Sequence, residues 1–386
     1  MTHLKILTAT VLTLLLNSCS DAKTNKEADT PVQTEQKDDA LQGFIQQKIS
    51  DNLYVLKFQN YNTNVGVFIG TESVLLVDPM IGPNNHQLLL KAVKQLSSKP
   101  IKYVINTHSH MDHSGANAFY KELGATIISH ENAKYSNALY DVTFNDSYSL
   151  DMGNETIMLR HSIAHTFDDV LVYFKNNNAL FMGDTYMTNS FPHFYYGGGS
   201  AGHLGIIDKA LAIGNSNTTI VAAHGKLLSS IKDLVTYREH SVNWINRINQ
   251  LHGEGKTSEE IADDEKINQL SLVFNEGKRV AKQSLQRTID KTISVETAPQ
   301  ISIPEKTLKD YAGLYQYENG QVDEIIYHDQ KLIFRSEGNY IFEIVPLTAT
   351  KFQLKGQFPN KYLTFDSGRQ QFTFFNGDEY LAAIRK

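Results

Sequence analysis

The sequence has one cysteine, Cys19, in 386 residues, so no disulfide framework can hold the fold. It is also short of positive charge. Lys and Arg number 36 against 42 Asp and Glu, a net charge of -6, and without a long basic stripe a nucleic-acid partner is disfavoured. The early apolar run from Ile6 to Leu16 is too short to span a bilayer. No internal repeat is present, which sets solenoid architectures aside. What is there suits a globular protein: 41% hydrophobic residues supply a core, and the length predicts two folded units with appendages.

The start, "MTHLKILTATVLTLLLNSC", places Lys5 before the apolar run and small polar residues before Cys19, the pattern of a secretory signal peptide over residues 1–19. "LNSC" resembles the bacterial lipobox, which implies lipidation of Cys19 and an exported protein anchored in the cell envelope, on its periplasmic face. Residues 20–45 begin with "SDAKTNKEADTPVQTEQKDDA", almost free of apolar residues, and read as a disordered tether.

From Leu53 the texture becomes short β-rich runs alternating with helical ones. "LYVLKF", "NVGVFIG", "SVLLVD", "IKYVIN", "ATIIS", "DVLVYF" and "TTIVAAH" read as strands, and "NNHQLLLKAVKQLSS" places Leu88, Leu89, Ala92, Val93 and Leu96 on one helical face. "HSGANAFYKELG" and "LGIIDKALAIG" read as further helices. This interleaving predicts an α+β or α/β unit over residues 46–235. Residues 236–298 read as a charged helical extension in which Thr257 and Glu260 form a capping box. Residues 299–386 hold seven short aromatic runs, "GLYQY" to "QFTFF", separated by turns, and predict a small β-barrel or sandwich.

The chemistry concentrates in "NTHSHMDHSG", which packs His108, His110, Asp112 and His113 into one short stretch after a predicted strand. Histidines two apart cannot share a helix face, but a loop at a strand end can aim both inward, and neutral imidazoles with a nearby carboxylate suit zinc. Three more candidates follow at strand ends: His165 in "SIAHTFDDVLVYF", Asp184 in "ALFMGDTYM" and His224 in "TTIVAAHGK". One histidine alone is more often structural. The set together forms a metal-site constellation. His130, His161, His203 and His240 are read as structural.

With "THSHMDHSG", "AHT", "GDT" and "AHG" in this order, residues 46 to 235 resemble the metallo-β-lactamase-fold superfamily. The resemblance implies a four-layer αβ/βα sandwich with a two-metal site at one edge. It implies His108, His110 and His165 on the first metal, Asp112, His113 and His224 on the second, and Asp184 bridging. Two Zn2+ are the implied cofactors, although the same ligands suit iron or manganese. The implied reaction is attack by a metal-bridging hydroxide on a small ester, thioester, lactone or amide, with Asp112 also orienting the nucleophile and moving its proton. A small-molecule substrate is the expected partner.

Met187 stands where one lactamase subclass has a lysine that grips the β-lactam carboxylate, so a true β-lactamase is the second reading. The rival of another class is a non-catalytic, metal-containing envelope binding protein. In "NSFPHFYYGGGSAGH", His193, Tyr195 and Tyr196 are candidate substrate contacts, because the stretch lies between Asp184 and His224. "YAGLYQYENG" resembles the small β domain appended to some periplasmic serine hydrolases.

Overall fold

The computed structural model describes residues 41–386 except 42, 137–138, 299–300 and 337–339. The signal segment, Cys19 and the tether up to residue 40 lie outside the described residues. Seven strands pair in sequence order to form the first sheet: β1 (Phe44–Lys48), β2 (Leu53–Phe58), β3 (Asn64–Ile69), β4 (Val74–Val77), β5 (Ile101–Ile105), β6 (Thr126–His130) and β7 (Val142–Phe144). Strands β1 to β4 form an antiparallel meander, and β4 to β7 run parallel. The second sheet contains β8 (Ser147–Asp151), β9 (Thr156–His161), β10 (Val170–Phe174), β11 (Ala179–Phe181), β12 (Thr219–Val221) and β13 (Ser229–Ser230), paired in sequence order.

A period of two along these strands builds the layers. In β10, Val170, Val172 and Phe174 join one core while Leu171 joins another. The inner core combines Leu53, Val55, Phe68, Val77 and Ile105 of the first sheet with Ile157, Val172, Phe174 and Phe181 of the second, and so lies between them. On the far side of the first sheet, Leu89 and Val93 of α1 (His86–Leu96) and Tyr120, which follows α2 (Met111–Ser114) within α3 (Asn117–Glu122), pack with Leu56, Val67 and Val104. Leu88 is not in this face, being 39% exposed, because the stripe generated from Leu89 runs through Ala92, Val93 and Leu96.

The second sheet's far side is covered by α4 (Gly199–Ile213), α5 (Ile231–Gly253), α6 (Ser258–Ala262), α7 (Glu265–Phe274) and α8 (Lys282–Glu296). Ile206, Trp244 and Ile289 share one core with Leu171, Leu180 and Ile220. The helical segment is therefore the sandwich's outer layer, and α5 already begins at Ile231. Its sequence is charged because only one stripe of each helix is buried. The capping box stands at the head of α6: Glu260 N donates to Thr257 Oγ1 at 3.2 Å, and Thr257 N donates to the Glu260 carboxylate at 2.9 Å.

Ordered structure begins before residue 46, since Leu41 and Phe44 are buried and Phe44 packs on Phe58. At the other end, α9 (Glu305–Tyr311) leads into a closed barrel: β14 (Gly313–Tyr317), β15 (Val322–His328), β16 (Lys331–Ser336), β17 (Tyr340–Pro346), β18 (Lys351–Leu354), β19 (Lys361–Phe365), β20 (Gln371–Asn376) and β21 (Glu379–Arg385). Every neighbouring pair is antiparallel, and β21 closes on β14. Such closure needs an even number of strands. The eighth, "EYLAAIR", has two alanines where β-branched residues signal a strand, which is why the sequence reading finds seven. Leu308, Tyr311, Tyr315, Phe334, Phe352, Phe365 and Phe372 share the barrel's core, as expected for eight strands. Among the described residues, no helix is long and apolar enough to cross a membrane.

Candidate metal centre

Each of the seven candidate donors sits on a loop or short helical turn that follows a strand at one edge of the sandwich. The turn after β5 carries His108 and then α2, with His110 at its N-cap and Asp112 and His113 within it. His165 lies between β9 and β10, Asp184 follows β11, and His224 follows β12. Side-chain bonds to backbone carbonyls hold these segments against β3 and the residue before it. Thr63 Oγ1 donates to the Asp112 carbonyl at 2.9 Å, and Asn64 Nδ2 donates to the Ala222 carbonyl at 2.8 Å.

The donors fall into two sets. In the first, His110 Nδ1 lies 3.1 Å from both His108 Nε2 and His165 Nε2, and His165 Nε2 lies 3.5 Å from Asp184 Oδ2. In the second, Asp184 Oδ1 lies 3.2 Å from His113 Nε2 and 3.1 Å from His224 Nε2, and Asp112 Oδ2 lies 3.6 and 3.4 Å from those nitrogens. Ligands bound at zinc distances of about 2.0–2.1 Å in a tetrahedron are roughly 3.4 Å apart. Both spacings match that edge, so each set could hold an ion, with one oxygen of Asp184 in each. His113 Nε2 and Asp184 Oδ1 are buried and have no hydrogen-bond partner, as lone pairs aimed at a shared ion should. The residues present therefore fit a pair of metals.

The outward ring nitrogens are held in place. His113 Nδ1 donates to Asp78 Oδ2 at 2.9 Å, His165 Nδ1 to the His193 carbonyl at 2.7 Å, and His224 Nδ1 to the Asn62 carbonyl at 3.1 Å. Each bond leaves the Nε2 lone pair facing the centre. Asp78 also accepts from Thr107 N at 2.8 Å and Thr107 Oγ1 at 2.6 Å, and the Thr107 hydroxyl lies 3.2 Å from His108 Nδ1. Its φ of 49° is unusual for aspartate and is held by these bonds. Sequence reasoning missed Asp78, and the one signal was its place at the end of the apolar run "SVLLVD".

Burial is the largest influence on every ligand. For His108 and His165 it prevails, with the neighbouring imidazoles, and both pKa values fall well below the ordinary value. For His113 and His224 burial is outweighed by the surrounding carboxylates, Asp78, Asp184 and Asp112 for the former, Asp184 and Asp112 for the latter. His113 rises well above its ordinary value and His224 rises to about 9. Burial likewise resists ionisation of Asp184 and Asp112, and His113 and His224 overcome it, lowering both. The pocket without metal thus attracts positive charge.

Of the proposed substrate contacts, Tyr196 is half-buried, its ring centre 5.7 Å from those of His110 and His165. His193 is half-buried, with its ring 5.0 Å from His165. Tyr195 is only 3% exposed and belongs to the core under the helices. Gly197 and Gly198 let this stretch lie directly on the His165 loop, since a β-carbon at either would collide with the carbonyl of Thr166 or Ile163. Behind that loop, Phe167 is buried against Ile333 and Ile341 of the barrel. His130 and His161 stack on each other, ring centres 3.4 Å apart, and belong to neither donor set, nor does the buried His203.

A family model described as the metallo-beta-lactamase superfamily matches residues 59–237, the segment that carries all seven donors. Residues 59–237 thus belong to the metallo-beta-lactamase superfamily. Within it, the chain is similar to a hydroxyacylglutathione hydrolase from Pelagibacter ubique, 34% identical over 96 residues, 24% of this chain and 40% of that one. It is also similar to a metallo-beta-lactamase type 2 from Elizabethkingia meningoseptica, 26% identical over 149 residues, 36% of this chain and 60% of that one. It thus spans between two-fifths and three-fifths of these relatives' lengths. Among solved structures, a stereoselective inverting sec-alkylsulfatase from Pseudomonas sp. matches with a TM-score of 0.52 at 15% identity, covering 69% of this chain and 53% of that one. That likeness concerns the fold. The superfamily match ends within α5, so α6 to α9 and the barrel lie beyond it.

Proposed function

We propose that this protein is a two-metal hydrolase of a small ester, thioester, lactone or amide, exported and held at the envelope by a lipid on Cys19. The observation that carries the reading is the pair of donor sets sharing Asp184, with spacing that fits an ion in each. The hydroxyacylglutathione hydrolase relative supports placing acyl transfer to water first. Bound in these sets, zinc, or iron or manganese in its place, would supply Lewis acidity and a water acidified towards neutral pH.

The chain's own residues do the rest. Asp112 is open to solvent, its side chain 41% exposed, and His113 and His224 keep it ionised against the effect of burial. It is placed to orient a water and take its proton. Asp78 and the carbonyls of His193 and Asn62 fix the imidazoles, so the site needs little rearrangement to act. Tyr196 and His193 wall one side and exclude bulk water.

The test is hydrolysis of nitrocefin, a lactone, a thioester and an aryl ester by metal-loaded residues 41–386, with and without a chelator. Chelator-sensitive turnover of the lactone, thioester or aryl ester is expected. Turnover of nitrocefin alone would make the protein a β-lactamase, and a loaded protein inert on all four would favour the binding protein. For the anchor, Cys19→Ala should release the protein from membranes, and retention would refute the lipid.

A further inference from the structure

Helix α8 lies beyond the superfamily match, yet it reaches the candidate centre. Its Lys291 is half-buried, and its ammonium lies 5.4 Å from the centre of the buried Tyr195 ring and 5.9 Å from that of Tyr196 in the site wall. The Tyr196 ring in turn lies 5.7 Å from those of His110 and His165, and Phe342 of the barrel lies 5.9 Å from it. Lys291 therefore stands one tyrosine ring away from the first donor set.

Among the described residues, no carboxylate is an ion-pair partner of this ammonium. Burial and then Arg287, also positive, disfavour its charge. By contrast Lys355, where the barrel meets the same loop, pairs with Glu343 at 3.3 Å. An ammonium has three donors and gains only part of its lost hydration from aromatic faces. A half-buried cation kept without a counter-ion beside a site wall is suited to receive one from outside.

We propose that Lys291 binds an anionic group of the substrate, a carboxylate, while the scissile bond lies at the two donor sets. Specificity is then set by the helical layer rather than by the superfamily segment, and the substrate carries its carboxylate about one aromatic ring's width from the bond that breaks. This rests on the two-metal reading of the site.

The probes are para-(mercaptomethyl)benzoate and its primary amide, titrated into zinc-loaded residues 41–386, with zinc content measured on the same samples. A thiolate is a zinc ligand, and the ring separates it from the carboxylate by the required span. Wild type should prefer the carboxylate over the amide by roughly tenfold or more. Lys291→Met keeps the apolar stem over the tyrosines and should abolish that preference, and Lys291→Arg should restore most of it. Equal preference in wild type and Lys291→Met, at equal zinc content and melting temperature, would overturn the proposal. Failure to retain zinc, or binding of neither thiol by a zinc-loaded wild type, would overturn the reading beneath it and this proposal with it.

Discussion

The sandwich edge and the barrel both bury polar groups, but they treat them differently. In the barrel, Asp323 accepts from the Tyr317 hydroxyl at 2.7 Å, and Glu343 takes Lys331 and Lys355, both at 3.3 Å. Each buried charge there finds a partner inside the fold. At the sandwich edge, His113 Nε2 and Asp184 Oδ1 are buried without a hydrogen bond and face only each other and the other donors, at 3.1–3.2 Å, although their neighbours are fastened by short bonds from behind. Leaving a buried polar atom unpaired costs about 1–3 kcal/mol, so a fold that leaves several converging on one point must recover that cost from something bound there. Satisfied polar groups mark architecture, and unsatisfied convergent ones mark a site.

The sharpest way to break this contrast is Asp184→Asn. It removes the charge shared by both sets, and the loss in zinc affinity should go well beyond the 10–100-fold that losing an orienting partner costs. Competition with a chromophoric chelator reads this, and affinity within tenfold of wild type would contradict it. Phe167→Ala empties the contact between the His165 loop and Ile333 and Ile341, and should cost about 3–5 kcal/mol of stability by denaturant unfolding. A value under about 1 kcal/mol would show that the barrel does not brace the loop.

Asp78→Asn keeps the shape and weakens the hold on His113, and should lower zinc affinity roughly 10–100-fold. The pH dependence is gentler. His224 in the metal-free protein holds its proton up to about 9, so zinc binding near neutrality must displace it. Affinity should rise about tenfold per pH unit for each proton released and flatten above that value. Calorimetry in buffers of different ionisation enthalpy counts the protons, and none released at pH 7 would be the contrary result. In the metal-free protein the same raised pKa adds stability that is complete below about 6.5, the unfolded value, and lost as pH rises through about 9. Smallest of all, His161→Gln should leave zinc stoichiometry unchanged, because that ring is engaged with His130 and the Asp169 carbonyl.

Much of the centre is legible in the chain because a loop that aims ligands inward displays them side by side. His108, His110, Asp112 and His113 are neighbours in sequence and in space, and the other three stand at strand ends that the apolar runs mark. Asp78 is not legible in that way: its role comes from the parallel pairing of β4 with β5, which sets the end of β4 within reach of His113. Thr63 and Asn62 act through a backbone carbonyl or one hydroxyl bond, which no residue type announces. Lys291 looks like one more charge on a charged helix until the packing of α8 sets it over Tyr196. The layers follow the same rule. The apolar runs of β2 and β10 predict strands, whereas the gathering of the helices from α5 to α8 into one layer depends on contacts such as Trp244 with Thr292, distant in sequence.

The measurement that tests the central claim most directly is X-ray absorption on zinc-reconstituted residues 41–386, paired with metal analysis. Two shared donor sets predict two zinc ions per chain, with metal–metal scattering at roughly 3.5–4 Å. One ion per chain, or two without that scattering, would contradict a centre in which Asp184 joins both sets.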